Sequence, residues 1–117
     1  MRRIFISLSF IMLLFSCGKQ HKAESVVKAF LDENLVVSDY SVSFAGIDST
    51  SYITDSIVGV MKKAASTNRL FKKSIKYGES NVPGKYIYTR AEIVNGKDTV
   101  TQTFYLDKEM TCVIAFK

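Results

Sequence analysis

The sequence predicts an α+β domain: two helices packed on one face of a curved antiparallel sheet of about four strands, in the order helix, strand, helix, strand, strand, strand. Three observations carry this. Apolar residues recur at three- and four-residue steps over 23–36 and again over 57–64, the period of a half-buried helix. The period switches to two over 40–44 and through the C-terminal third. Within that third, Asn95-Gly96 separates two runs rich in Tyr, Ile, Val and Thr, a strong short-range hairpin signal. Two helices burying their faces only on each other would leave an apolar sheet face wet, so helices on a sheet is the economical arrangement.

The N-terminus precedes the domain. Arg2 and Arg3 lead into an apolar run from Ile4 to Phe15, closed by Ser16 and Cys17, the layout of a secretory signal. The run is too short to span a bilayer, which takes about 20 residues. Leu14-Phe15-Ser16-Cys17 resembles the lipobox of bacterial lipoproteins. That resemblance implies that residues 1–16 are a signal peptide and that Cys17 carries lipid, making the membrane a partner. Gly18 lacks the acidic character associated with inner-membrane retention, so the resemblance favours the outer membrane, facing the periplasm. An ordinary secretory signal is the alternative, and it leaves Cys17 a chance cysteine.

Sixteen residues removed from 117 leave 101, room for one domain, expected over 23–117. The net charge of +5 falls to +3 without Arg2 and Arg3, too little for a dedicated nucleic-acid binder. With the Cys17 sulfur alkylated, Cys112 has no partner in the chain. Residues 17–22, Cys17 followed by Gly-Lys-Gln-His-Lys, read as the lipidated cysteine and a polar tether. His21, alone in that tether, lacks co-ligands and orienting partners, so neither a metal nor a cofactor is expected.

The first helix is expected from about Ala23 to Val36, with Val26, Val27, Phe30, Leu31 and Leu35 on one face. Over 38–53, Tyr40, Val42 and Phe44 alternate with small residues as in a half-buried strand, and Gly46 permits a bulge. Thr54 or Asp55 is a candidate N-cap for a second helix, whose face holds Ile57, Val60, Met61 and Ala64, with Phe71 as an extension and an end between Ser66 and Lys73. Six basic residues between Lys62 and Lys76, with no acid among them, read either as a solvated face or as a strip for anionic headgroups.

After a turn over 81–84, a two-residue loop at Asn95-Gly96 would place Val94 opposite Lys97. One face of the hairpin then carries Ile87, Thr89, Ala91, Ile93, Val100, Gln102 and Phe104, and should receive the helices. The other carries Tyr86, Tyr88, Arg90 and Tyr105, an amphipathic aromatic patch and the candidate recognition surface. Tyr and Thr are also favoured on any exposed strand face. The last strand, 111–116, is ambiguous by one residue; placing Cys112, Ile114 and Phe116 on the core face fills more volume and makes Cys112 a buried small hydrophobe.

In element order and size the chain resembles small bacterial lipoproteins with a cystatin-like or nuclear-transport-factor-like α+β domain. Protease-inhibiting cystatins carry a Gln-x-Val-x-Gly loop; the nearest stretch, Val42 to Gly46, lacks the Gln, so such inhibition is not implied. The expected function is a lipid-anchored, non-catalytic binding or assembly module for an unknown protein or small molecule. The alternative is a small enzyme or ligand-binding cup. Outside the tether there is no histidine, and the sequence shows no paired acids, metal-ligand cluster or glycine-rich phosphate loop, so no catalytic residue is named.

Overall fold

The computed structural model describes the backbone of residues 2–80, 82 and 84–117, and side chains from Gly18 onward within that set. The elements are α1 (Arg2–Asn34), β1 (Ser41–Thr50), α2 (Asp55–Ala65), β2 (Tyr86–Asn95), β3 (Asp98–Asp107) and β4 (Val113–Phe116). The strands form one antiparallel sheet in the order β1-β2-β3-β4, against which the helices pack, an α+β fold in the expected element order.

One face of the sheet lies under α1. Ala23, Val27, Phe30, Leu31 and Leu35 meet Ala91, Ile93, Phe104, Leu106, Val113 and Phe116 in the larger core cluster. Phe30 meets Phe104 edge-on with ring centroids 6.0 Å apart, and Phe71 stacks on Phe116 at 4.3 Å. α2 lies against β4 and contributes to both sides of it: Ala65 joins this cluster, while Met61 joins a second one with Tyr86, Tyr105, Ile114 and Ala115.

Residues 18–22, expected to be a non-helical tether, are helical and continuous with α1. Tertiary contact explains the extension. The Gln20 side-chain amide donates to the Ala45 carbonyl and its oxygen accepts from the Ile47 amide, both at 3.0 Å. Those two groups belong to the bulge between Phe44 and Ile47, where Gly46 sits as anticipated. Gln20 thereby satisfies backbone groups that an edge strand would otherwise present to another chain.

α1 ends at Asn34, two residues before the expected Val36. The segment after α2 pairs with the helix end: the Lys72 amide donates to the Asn34 carbonyl at 2.8 Å, and the Val36 amide just beyond the helix donates to the Leu70 carbonyl at 2.9 Å. Thr54 is the N-cap of α2, its hydroxyl accepting from the Ile57 amide at 3.2 Å. α2 stops at Ala65, so Phe71 is buried from a loop and not as a helix extension. The face it buries also differs from expectation. Met61 and Ala65 are buried and Val58 is half-buried, whereas Ile57, Val60 and Ala64 are exposed.

The tight hairpin turn falls one residue later than Asn95-Gly96. Asn95 pairs with Asp98, leaving Gly96-Lys97 as the loop, and Tyr88, not Tyr86, lies opposite Tyr105. Gly96 has φ 63, and Lys97 is not among the residues with positive φ, the pattern of a turn with glycine at its first central position. Because each partner moves by two residues, every side chain keeps its predicted face. The β4 register resolves into neither simple alternative. Phe104 pairs with Phe116 and Tyr105 with Ala115, but Leu106 pairs with Val113, so a bulge at Ile114 switches faces within the strand. Phe116 reaches the larger core as expected, while Ile114 and Cys112 turn to the second cluster.

Candidate functional site

A concavity that carries chemically active side chains lies where α1 passes β4. Ser25, Val26, Ala29 and Glu33 form one wall, and Lys76, Tyr77, Gly78, Thr111, Cys112 and Val113 the other, around a cleft of about 450 Å³.

Two buried polar side chains fix the second wall. Asn34, only 1% exposed, accepts from the Lys76 amide at 2.9 Å and donates to the Phe30 carbonyl at 2.9 Å. Asp107, at the end of β3, accepts from the amides of Thr111 at 2.6 Å and Cys112 at 3.0 Å, and from the Thr111 hydroxyl. Burial alone would raise the Asp107 carboxyl, but these bonds to its charged form outweigh it and leave it below the ordinary carboxylate value. The Gly78 amide then donates to the Val113 carbonyl at 2.9 Å, laying residues 76–78 along β4.

Tyr77 is the unusual member. Its ring centroid is 5.8 Å from that of Phe30 and 6.3 Å from that of Phe116, and the Lys62 ammonium lies 4.9 Å from its centre. Its hydroxyl is buried and has no hydrogen-bond partner among the described residues. Burial raises its pKa above the usual phenol value, so the group stays protonated as a donor. Across the wall the Cys112 thiol is half-buried, facing the Glu79 carbonyl at 3.8 Å. Burial, with help from the Asp107 carboxylate, pushes the thiol up as well. At the rim Lys76 and Glu33 approach to 3.6 Å with both side chains exposed, a pair worth little to stability.

Compared with known proteins, the chain matches no family model, no curated protein and no solved structure.

The tyrosine patch expected from the hairpin is largely not a surface. Tyr86 and Tyr105 are 4% and 6% exposed, covered from the second cluster by Met61, Ile114 and Ala115. Tyr88 is half-buried, its ring centroid 5.9 Å from that of Tyr105, and Arg90 alone of the four is exposed. The alternation of the strands was sound; what it could not show was α2 lying over this end of that face. Cys112, expected on the core face with Phe116, packs half-buried against the second cluster and also borders the cleft. The thiol of Cys17 lies outside the described residues. Among the described residues no group of three His, Cys, Asp or Glu could hold a metal ion.

Asn34, Tyr77 and Asp107 were not singled out from the sequence. Asparagine is a common helix-ending residue, and aspartate before a turn readily caps its own backbone, so two of the three carried a usable local signal. Tyr77, in a stretch without period, carried none.

Proposed function

We infer that the chain is a lipid-anchored envelope protein, held through Cys17 at the periplasmic face of the outer membrane, whose domain is a non-catalytic module binding a small, mostly apolar molecule in the α1–β4 cleft. The observation that carries the binding part is the largely apolar cleft itself, with Tyr77, whose buried hydroxyl has no partner among the described residues, in its wall. Leaving a buried donor unpaired costs about 1–3 kcal/mol, which a turn of the Tyr77 side chain toward a ligand acceptor would recover. The cleft volume of about 450 Å³ suits a small organic ligand.

The chemistry of the walls favours binding over catalysis. A thiol acts as nucleophile only as thiolate, and burial keeps Cys112 protonated. The Asp107 carboxylate is occupied by its own turn. Support for anchoring is the order Arg2-Arg3, apolar run, Ser16-Cys17.

Native mass spectrometry of the full chain, released gently from detergent, tests the binding reading. A small added mass that disappears on denaturation is expected, and filling the cleft with Ala29→Trp should abolish it. Equal, bare spectra for both proteins would sink the ligand reading. Anchoring is checked separately by the mass of the N-terminal peptide: diacylglycerol on a chain beginning at Cys17 is expected, and an unmodified cysteine there refutes it.

A further inference from the structure

α2 carries more apolar surface than the fold covers. At about 100° per residue, Val60, Ala64, Ile57, Met61, Ala65 and Val58 form one continuous apolar arc of roughly 160°. The protein buries only the Met61, Ala65 and Val58 half of it. The other half faces outward, with Ile57 41% and Val60 68% exposed. These residues border a shallow groove of about 370 Å³ that Ser56, Ala64 and Lys117 complete, and no acidic residue lines it. Tyr52, 87% exposed, stands two residues before the N-cap Thr54.

The geometry points to this stripe of α2 as a surface that seats against an anionic lipid bilayer. Charge decides among occupants. Lys63 flanks the stripe on the same helix and Lys117 flanks it from the C-terminus, its ammonium 6.0 Å from the centre of the Tyr105 ring. Asp55, in the first turn, falls on the opposite side of the helix by the same angular count. An apolar strip between exposed lysines complements anionic headgroups, which attract basic side chains within a Debye length. A second copy fits poorly. Symmetric pairing would set two lysine-flanked strips face to face, and three exposed apolar side chains fall far short of the roughly 20–30 residues a side of a stable interface. Interfacial seating needs only a few side chains entering about 5–10 Å. This surface is separate from the α1–β4 cleft and does not depend on a ligand there.

The chain contains no tryptophan, so Val60→Trp provides a single reporter on the stripe and Lys97→Trp one at the distant hairpin. Each full-length variant is reconstituted in phosphatidylcholine vesicles, with and without phosphatidylglycerol, and quenched with brominated lipid. The V60W signal should fall roughly twofold in the anionic vesicles, as for a side chain at the headgroup boundary. It should change little in the neutral ones, and V60W/K63E/K117E should lose the quenching. K97W should stay unquenched throughout. An unquenched V60W in anionic vesicles overturns the proposal, whether its emission remains that of an exposed indole or shifts to the blue through burial against protein. Quenching that survives K63E/K117E or matches that of K97W overturns it equally.

Discussion

The Asn34 side-chain carbonyl accepts from the Lys76 amide at 2.9 Å, joining the end of α1 to a segment 42 residues away. Its amide group donates back to the Phe30 carbonyl, so one side chain closes the helix and positions the cleft wall. Asn34→Ala leaves the Lys76 amide without that partner and should cost about 2 kcal/mol, read as a lower urea midpoint at unchanged slope. Because Tyr77 follows Lys76, the variant should also loosen the cleft, seen as faster amide exchange over 75–78. Unchanged exchange there would show that the wall is held by other contacts.

Asp107 links stability to acid. Its folded-state pKa is lowered, so its contribution is present above the unfolded carboxylate pKa of about 3.9 and is lost as pH falls through the lower folded value. Asp107→Asn retains an acceptor but loses charge-assisted bonds to Thr111 and Cys112. The stability gap between wild type and D107N should therefore be constant near neutrality and narrow below about pH 4. A gap that widened on acidification would contradict the assigned direction.

Gly78 is demanded by contact. A Cβ there would lie 2.2 Å from the Cys112 Sγ and 2.4 Å from the Cys112 Cβ. Gly78→Ala should cost about 1–3 kcal/mol, as overpacking does. Cys112→Ala should fail to rescue it, because the clash with Cβ remains, whereas Cys112→Gly should recover part of the loss. Thermal melts of the two double variants separate these outcomes, and rescue by alanine would mean that the sulfur alone sets the fit.

The fold was legible where periodicity was long. The α1 stripe from Ala23 to Leu35, the bulge at Gly46 and the Thr54 cap are local patterns with direct physical causes. What failed depended on a distant partner. Gln20 becomes helical through bonds to a bulge about 25 residues on. Tyr86 and Tyr105 look like an open strand face until α2 lies over them. The periodicity of α2 marked an apolar arc correctly, yet could not say which half the sheet would take. The cleft was the least legible, because Tyr77 sits in a stretch without period and is brought against Phe30 and Phe116 only by tertiary packing.

The hairpin offers the sharpest separation between a sequence rule and the structure. Had Asn95-Gly96 formed the loop, both residues would need positive φ and both would resist β-branched replacement. In the structure Asn95 is the last residue of β2, paired with Asp98, and the left-handed position is Gly96 with φ 63. Gly96→Ala should therefore cost about 1–2 kcal/mol through the steric penalty of a Cβ at that φ. Asn95→Thr, which places a good strand former on an ordinary strand residue, should stay within about 0.5 kcal/mol of wild type. Chemical denaturation of the two single variants decides between registers: equal, large losses would restore the Asn95-Gly96 loop, and a loss confined to G96A supports a loop at Gly96-Lys97. The same pair leaves the face assignment untouched, because the registers differ by two residues and not one.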